Sequence, residues 1–490
     1  MERNMRGVFS AVGARFFSCP VRATFFFSLL LSLIAVFGVV TIGKDAAFYL
    51  DIARQASEEG LLVAQEKFHW PAFILLIAVT HMYLGVSLEV AAYLWSALFI
   101  AGTCALLVDM VRGVQPRATW WAVLVVLAMP AFNAFRADIL REFGFWFFSI
   151  LTLWLALRWQ RKGGWSLALG VAFSIFAAAA FRLEAVLLFP ALILWQLPAL
   201  FDRGRRSQAL QFYSLLMLLA LAGVCGLVAL VLLLDFPVSR ISYFAGLISP
   251  WHLVRTFSEL SAEFAQEILR KYSWDDAGLI LFCGFLATIL IKFVGLLGPF
   301  SVALLSRSVW RELPVLCRCF SLSSWAAVLY LAVLLMFFVQ LQFMNSRYLS
   351  FLNLLTVPIA AVAMSVFSKQ WPRASRWLVG LAILCAVANV VSFGAKKTHY
   401  VEAGHWVAEN IEATANVYYV DGRIAYYAGR GYPIPERLDR VIESPQKYQY
   451  LVLEADGDEP WLLMLLDQNQ LRILERFSNR KRDTVLIIGR

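Results

Sequence analysis

The sequence predicts a polytopic α-helical membrane protein that ends in a small α/β domain outside the membrane. Of its 490 residues 61% are hydrophobic and 16% charged, with a mean hydropathy of +0.70, whereas soluble domains contain about 25% charged residues. The apolar residues form continuous runs of helix length, without the alternation of a membrane β-barrel. After residue 394 the composition becomes that of an ordinary soluble domain.

Eleven apolar runs are long enough to cross a hydrocarbon core of about 30 Å. They cover residues 24–42, 89–110, 118–133, 143–157, 165–181, 185–200, 209–234, 278–304, 322–343, 347–367 and 377–394. A further run at 71–85 has only 15 residues, carries His81 and begins with a proline, which suits the start of a helix.

The distribution of charge decides whether 71–85 crosses the membrane. If it does not cross and the N-terminus is cytoplasmic, the inner segments, counted with Asp109 at the end of its span, hold eighteen lysines and arginines against four acids. The outer loops, counted with Glu89 and Arg347 at the ends of their spans, then hold eleven lysines and arginines against fifteen acids. A crossing would invert every later loop and violate the positive-inside rule. We therefore predict a juxtamembrane helix at 71–85, about eleven spans, a cytoplasmic N-terminus and an external C-terminus. The net charge of +10 then reflects topology and indicates no nucleic-acid partner.

Two domains are predicted, a transmembrane domain over 1–394 and a soluble domain over 395–490. Hydrophobic alternation predicts three strands in the soluble domain, at 417–421, 450–454 and 484–488, and a helix at 459–470. In the outer loop 235–277, residues 255–271 form an amphipathic helical pattern. The cysteines and histidines lack the spacing of a metal site, so no metal is expected.

Ionisable side chains cluster at the outer ends of the predicted spans, where charge is costly and its default role is functional. They are Lys44, Asp45, Asp51, Arg136, Asp138, Arg141, Glu142, Arg182, Glu184 and Arg347. Carboxylates can act as bases and arginines can hold an anion, so this pattern suits chemistry on a phosphorylated lipid. One alternative is a plain ion pair between Arg182 and Glu184. Others are a snorkelling anchor for Arg347 and a solvated face or helix cap for Asp51.

Several segments resemble the type C (GT-C) glycosyltransferases, which include protein O-mannosyltransferases and bacterial aminoarabinose transferases of lipid A. The resemblance to their first external loop covers Lys44-Asp45-Ala46-Ala47-Phe48-Tyr49-Leu50-Asp51-Ile52-Ala53-Arg54, Gly60, Trp70-Pro71-Ala72-Phe73 and Gly85. A second external loop is matched by Arg136-Ala137-Asp138-Ile139-Leu140-Arg141-Glu142. Two short strings, Arg182-Leu183-Glu184 and Asn345-Ser346-Arg347-Tyr348, are also similar.

The resemblance implies a GT-C-like fold and an inverting enzyme that uses a polyprenyl-phosphate sugar donor. The family's loop-one aspartate corresponds to Asp45, which would be the catalytic base. The second-loop acid corresponds to Asp138 or to Glu142. Many relatives carry an acid directly after the first aspartate, but this chain has Ala46 there. That difference supports neither a second carboxylate nor a metal at this position, and no cofactor is expected.

The remaining candidate residues have supporting roles. Cations stabilise a departing phosphate, and the candidates for this are Arg136, Arg182 and Arg347. The candidates for supporting the acceptor site are Tyr49, Lys67, His69, Glu184 and Tyr348. If the segment after Gly43 is helical, Tyr49 lies on the same face as Asp45. The alternative role for Asp45 is to cap that helix.

The predicted function is transfer of a sugar from the lipid-phosphate donor to a lipid, glycan or protein acceptor. Compact loops suggest a bacterial inner membrane, with the C-terminal domain in the periplasm. One alternative is a lipid-linked glycan flippase, which should carry charged or broken positions deep in several spans. Only Lys292 is placed that way. A structural scaffold for envelope assembly is the other alternative, but it does not explain the clustered acids and arginines.

Overall fold

The computed structural model of the chain describes residues 19–233, 249–391 and 394–489. The N-terminal basic segment and the first part of the predicted loop 235–277 lie outside these residues. The first helices of the described chain are α1 (Pro20–Phe37), α2 (Lys44–Glu59), α3 (Leu62–Lys67), α4 (Ala72–Leu84), α5 (Leu88–Val114), α6 (Thr119–Ala128) and α7 (Pro130–Asn133). The next are α8 (Glu142–Lys162), α9 (Trp165–Phe181), α10 (Leu188–Phe201), α11 (Arg206–Leu233), α12 (Pro250–Ile268), α13 (Ala277–Leu297) and α14 (Arg307–Cys319).

The C-terminal third completes the helices and adds the strands. The helices are α15 (Ser321–Leu341), α16 (Ser346–Gln370), α17 (Pro372–Val390), α18 (Thr398–Asn410), α19 (Gly422–Tyr427), α20 (Leu438–Glu443) and α21 (Pro460–Asn469). The strands are β1 (Val417–Tyr419), β2 (Tyr450–Glu454), β3 (Arg472–Ser478) and β4 (Thr484–Gly489). Short 3-10 helices occur at Pro116–Ala118, Leu183–Leu187, Lys271–Ser273, Gly298–Leu305 and Pro445–Lys447.

The chain is a multi-pass membrane protein. Among the described residues, eight helical segments are long and apolar enough to span a bilayer. They are Pro20–Phe37, Leu88–Val114, Leu183–Phe201, Arg206–Gly226, Ala277–Leu305, Ser321–Leu341, Ser346–Gln370 and Pro372–Val390. The three other predicted spans correspond to α6 with α7, to α8 and to α9. The number of crossings and their direction stay predictions.

Helix α4 occupies the run that the charge pattern places at the membrane surface. Its 13 residues give a length of about 20 Å, which is short of the hydrocarbon core of about 30 Å. Gly85 ends the helix in the left-handed conformation, with a φ of 65°, and its N–H donates to the carbonyl of His81. The observed length favours the predicted juxtamembrane position.

The residues of the chain form two compact units by their internal contacts. The first, here the helical unit, contains the described residues of 1–30, 99–135 and 142–389. Helix α16 lies at its centre, because 78% of the most apolar stretch of this helix is buried. The Phe351 ring of α16 packs 4.5 Å from Phe145 of α8 and 4.9 Å from Tyr330 of α15, between ring centroids. A charge also lies within this unit, because Lys292 Nζ donates to the carbonyl of Met344 at 2.6 Å.

The second unit, here the loop–tail unit, contains 31–98, 136–141 and 390–490. It therefore joins the first external loop and the second-loop segment with the tail. The tail forms a four-stranded sheet in the order β1-β2-β4-β3, in which β1 and β2 are parallel and the other pairs antiparallel. Alternate residues of β2 and β4 face opposite sides. Val452 and Ile487 pack with α18 and α19, and Leu451 and Ile488 pack with α21.

Most of the predicted elements of the tail are present, with shifted ends. The strand predicted at 417–421 ends at Tyr419, because the Asp421 side chain accepts the Arg423 N–H and starts α19.

In the outer loop 235–277, the amphipathic helix predicted at 255–271 begins earlier, at Pro250, where proline suits the first turn. Helix α18 and strand β3 are elements that the sequence analysis did not predict. The boundary predicted between residues 394 and 395 stays a prediction.

Candidate functional site

Asp45 lies in the first turn of α2. The helix begins at Lys44, and its N-cap is Gly43, in an extended conformation with no side-chain cap. Asp45 is thus inside the helix and is not its N-cap, so the capping alternative is not observed. The side chain is half-buried, and the positive end of the helix dipole favours a negative charge there. Asp45 is therefore a carboxylate in the first turn of a helix, at a position that solvent can partly reach.

Asp138 lies beside the start of the same helix. A Cβ atom placed ideally on Gly43 would be 4.0 Å from Asp138 Oδ1, which is ordinary van der Waals contact, so the second-loop carboxylate lies next to the residue that precedes α2. Asp138 is half-buried, like Asp45. The loop–tail unit therefore brings together the first-loop acid and one of the two candidate second-loop acids.

The aromatic side chains around α2 form a compact cluster. Tyr49 is 6% exposed, and its ring lies 5.5 Å from Phe68 and 6.2 Å from Phe73. Because α2 is continuous, Tyr49 shares the helix face of Asp45, as predicted. Arg141 stacks over the Phe68 ring at 5.1 Å. The packing fixes the rotation of α2 and with it the direction of the Asp45 side chain.

The tail contacts the residue next to Asp45 through a buried ion pair that the sequence analysis missed. Arg423 makes a bidentate bond to Asp421, with Nε–Oδ1 at 2.9 Å and Nη2–Oδ2 at 2.8 Å. Lys44 Nζ lies 3.0 Å from Asp421 Oδ2. Burial acts to raise the pKa of Asp421, but the bonds from Arg423 and Lys44 outweigh it and lower the pKa to about 2. The Arg423 guanidinium also stacks on Tyr400 at 4.3 Å.

A second contact between α2 and the tail involves Asp51. Asp51 is 5% exposed, so it is not on a solvated face. Its carboxylate accepts the backbone N–H of Tyr432 at 3.0 Å and bonds Arg54 and Gln55, each at 2.8 Å. The Tyr432 ring packs 5.7 Å from Phe48. Burial, with the negative charges of Asp421 and Asp45 adding to it, raises the pKa of Tyr432. Tyr432 is therefore a neighbour of Asp45 that the sequence did not indicate.

The Asp421 ion pair gives a prediction about stability. We expect Asp421→Asn to lower the free energy of unfolding of the tail by about 1.5–3 kcal/mol, because asparagine keeps the helix cap but loses two charged partners. The lowered pKa means that this stabilisation is present above about pH 4, the unfolded value, and is lost as the pH falls towards about 2. The difference between the variant and the wild type should shrink over the same interval. Hydrogen exchange in α18 and α19 measures it.

A matched control is Asp439→Asn, which removes the carboxylate of an exposed ion pair with Arg437. Such pairs contribute about 0–1 kcal/mol, so exchange in α18 and α19 should not change. Equal protection in Asp421→Asn and the wild type at neutral pH would show that the buried pair does not stabilise the tail.

Arg182 lies in the helical unit between two glutamates. Its Nη1 bonds Glu142 Oε1 at 2.9 Å, its Nε bonds Glu184 Oε1 at 3.0 Å, and its Nη2 also pairs with Glu184. The side chain is 8% exposed and stacks over the Tyr348 ring at 5.1 Å. Glu142 is 6% exposed, and its Oε2 has no hydrogen-bond partner among the described residues. The ion pair given above as an alternative for Arg182 and Glu184 is present, with Glu142 as a further partner.

Arg136 and Arg347, the other phosphate candidates, are placed differently. Arg136 belongs to the loop–tail unit, is 1% exposed and donates from Nη1 to Ser32 Oγ at 2.7 Å. Arg347 lies in the first turn of α16, where Asn345 Oδ1 accepts its backbone N–H at 3.1 Å. The Arg347 side chain is half-buried. Its neighbour Tyr348 accepts a hydrogen bond at its carbonyl from the Tyr330 hydroxyl, at 2.9 Å.

The last candidate residues lie at the end of the first external loop. Lys67 is exposed and donates to Gln55 Oε1. His69 is exposed, and its ring centroid is 6.3 Å from that of Trp70. Neither side chain lies in a group of three or more His, Cys, Asp or Glu residues that could hold a metal, and no such group occurs in the described part of the chain.

The fold is similar to that of ArnT, a GT-C lipid A aminoarabinose transferase. The crystal structure of ArnT from Cupriavidus metallidurans bound to undecaprenyl phosphate matches with a TM-score of 0.59 and 11% identity, over 95% of this chain and 97% of ArnT. The same protein in the apo state matches with a TM-score of 0.60 and 13% identity, over 98% of each chain. The chain has the ArnT fold. The predicted GT-C-like architecture is therefore confirmed.

No family model and no curated protein matches the sequence. At 11–13% identity, the similarity to ArnT shows the fold over nearly the whole chain but does not show the role of any residue. The roles of Asp45, Asp138, Glu142 and the arginines are therefore argued from their own surroundings.

Proposed function

We propose that the protein is a glycosyltransferase that moves a sugar from a polyprenyl-phosphate donor to a lipid, glycan or protein acceptor. The observation that carries the proposal is the half-buried Asp45 in the first turn of α2, beside Asp138, in a chain with the ArnT fold. One of the matched ArnT structures holds undecaprenyl phosphate, which supports a lipid phosphate as the carrier. Together with the charge pattern, it supports the periplasmic face of a bacterial inner membrane as the place of reaction.

The proposed reaction is a single displacement at the anomeric carbon. The acceptor hydroxyl or amine attacks that carbon, and a new bond forms from the acceptor to the sugar. The bond between the carbon and the phosphate oxygen breaks, and polyprenyl phosphate leaves as an anion. Asp45 takes the proton of the acceptor, which is general-base catalysis worth about 10²–10⁴-fold. The configuration of the sugar is inverted by one such displacement.

Asp138 is the preferred second acid. It shares the loop–tail unit with Asp45 and is half-buried, so it can orient an acceptor group. Glu142 is instead paired with Arg182 and buried. The charged partner of Glu142 favours a role in holding the helical unit together.

Arg347 is the preferred contact for the donor phosphate. Arg182 already engages two carboxylates, and Arg136 is almost wholly buried. Arg347 is half-exposed at the beginning of a 25-residue helix, where the dipole also favours an anion. Its planar fork can bind two phosphate oxygens.

The test of Arg347 is a pair of substitutions. We expect Arg347→Ala to weaken donor affinity about ten- to a hundredfold, since a charge-assisted bond contributes about 1.5–3 kcal/mol. Arg347→Lys should recover only part of it, because an ammonium lacks the fork. Donor affinity of the purified variants, measured beside Lys369→Ala at the other end of the same helix, checks this. Wild-type affinity in Arg347→Ala would exclude Arg347 from the donor site.

A reconstitution experiment separates a transferase from a flippase. Vesicles containing the protein are loaded with a polyprenyl-phosphate sugar, with or without acceptor lipid on the same side. A transferase consumes the donor only when the acceptor is present and yields polyprenyl phosphate. A flippase moves the donor between leaflets and leaves it intact. Movement without consumption in the presence of each acceptor class would overturn the proposed function.

A further inference from the structure

A polar cavity opens in the helical unit between the C-terminal parts of α8 and α10 and the beginning of α11. It has a volume of about 320 Å³ and is lined by Gln160, Arg161, Gln196, Ala199, Arg205 and Gln208. We call it the glutamine–arginine cavity. Its volume lies within the range of small-molecule sites, about 300–1,000 Å³. The lining lies at the ends of helices in an apolar bundle and presents three amides and two guanidinium groups and no carboxylate.

The cavity contains a buried donor that lacks an acceptor. Gln196 on α10 is 3% exposed, and its Nε2 has no hydrogen-bond partner among the described residues. A buried unpaired amide destabilises the folded protein, so binding of a group that accepts its hydrogen bond would be favoured. The neighbouring Gln208 Nε2 is occupied, since it donates to the carbonyl of Gln160 at 3.1 Å. The atom that lacks an acceptor is therefore Gln196 Nε2, and an oxygen in the cavity could accept its hydrogen bond.

The segment that surrounds the cavity has a net positive charge, which favours binding of an anion. Residues 202–206 carry three arginines and one acid, Asp202. Asp202 is bound to the backbone N–H of Gly204 at 2.9 Å and lies 3.8 Å from Arg205 Nε, so it offsets only one of the arginines. Arg161 adds a further guanidinium, one arm of which donates to the carbonyl of Gly113 at 3.1 Å. Amides and guanidinium groups converging in this way match phosphate oxygens.

The apolar surroundings indicate that this phosphate belongs to a lipid. A second, larger cavity of about 670 Å³ lies on the next face of α11 and is lined by Arg203, Arg206 and Trp165 among others. Around both cavities large apolar side chains are exposed, with Trp165 at 71% and Phe201 at 83%. A soluble phosphate would leave these side chains uncovered, whereas the acyl chains of a phospholipid would cover them. Basic pockets between spans on the cytoplasmic side are suited to anionic headgroups, and the predicted topology places 202–206 on that side.

We propose that the glutamine–arginine cavity binds the phosphate headgroup of an anionic phospholipid. Gln196 donates to a phosphate oxygen, Arg205 and Arg161 neutralise its charge, and Arg203 and Arg206 lie beside the glycerol and the acyl chains. This site is separate from the proposed transfer chemistry, so a failure of one proposal does not affect the other.

The test is lipid retention by the full-length protein in nanodiscs. One set contains phosphatidylcholine alone, and another contains about 20 mol % phosphatidylglycerol. We expect native mass spectrometry of the wild type to show retained phosphatidylglycerol well above its share of the bilayer. Gln196→Leu and Arg205→Gln should each reduce that retention about tenfold, the effect of losing one charge-assisted bond. Arg205 is exposed, so its variant folds even if Gln196→Leu does not.

The matched control is Arg373→Gln, which removes one positive charge from an exposed arginine that lines neither cavity. Its retention of phosphatidylglycerol should equal that of the wild type. Inorganic phosphate at about 10 mM should not displace the lipid. Equal retention in Arg205→Gln and the wild type, an equal loss in Arg373→Gln, or displacement by inorganic phosphate would each overturn the proposal.

Discussion

Asp45→Asn is expected to lower sugar transfer by about a hundredfold or more while the protein folds normally. Asparagine has nearly the shape of aspartate but cannot accept the proton of the acceptor. The substitution does not remove a helix cap, because the N-cap of α2 is Gly43. Loss of the favourable interaction between the charge and the helix dipole costs about 0.3–1 kcal/mol. Transfer and thermal unfolding of the same purified samples measure the two effects.

The matched control for this prediction is Glu58→Gln on the same helix. Glu58 is exposed at the other end of α2, and its bond to Arg54 is 3.3 Å long. Glu58→Gln removes the same negative charge from α2 as Asp45→Asn does, but far from the proposed base. Its rate of transfer should therefore stay near that of the wild type. Turnover in Asp45→Asn close to the Glu58→Gln value would exclude Asp45 as the base. Asp138 would then be tested first.

Arg182→Ala is expected to destabilise the protein by about 3–5 kcal/mol. Removing the guanidinium leaves Glu142 and Glu184 without their cation in a buried site, and an uncompensated buried charge is far more costly than a lost contact. The substitution is therefore a poor test of phosphate binding, and any loss of transfer would follow from unfolding. Chemical unfolding of the wild type and Arg182→Ala in detergent measures the difference in their free energies of unfolding.

Two further variants test the cause of that loss. Adding Glu142→Gln and Glu184→Gln to Arg182→Ala removes the unpaired charges, so part of the stability should return. Arg255→Ala removes an arginine from an exposed pair with Glu259 and should leave the free energy of unfolding nearly unchanged, because water and salt screen exposed ion pairs. If Arg182→Ala were as stable as Arg255→Ala, the three-residue cluster would not stabilise the helical unit.

The bundle and most of the tail could be predicted because their patterns are local. Runs of apolar residues give the spans, and alternation gives β1, β2 and β4. Strand β3 lies at the edge of the sheet with most of its side chains exposed, so it lacks a hydrophobic face to reveal it. Helix α18 did leave a signal, since Tyr400, Ala403 and Val407 are buried at helical spacing.

The contacts around the candidate acids could not be predicted in the same way. Lys44 and Asp421 are separated by 377 positions in the sequence and meet only because the tail folds with the first loop. No local pattern marks Asp421 as the partner of Lys44 or Tyr432 as a neighbour of Asp45. For Arg182, the sequence showed the neighbouring Glu184 but gave no sign of Glu142, which lies forty positions earlier. Charge clustering indicated where to look, and only the fold shows which charges are already paired.

The most direct test of the proposed chemistry is a single turnover with limiting donor. The donor affinities of purified wild-type protein and Asp45→Asn are measured. Each protein is then placed in excess over a polyprenyl-phosphate sugar, so that all of the donor is bound, and acceptor is added. We predict that the wild type releases one polyprenyl phosphate for each sugar transferred. The variant should bind the donor equally well and release polyprenyl phosphate about a hundredfold more slowly. Equal rates of release in the two proteins would contradict the assignment of Asp45 as the base.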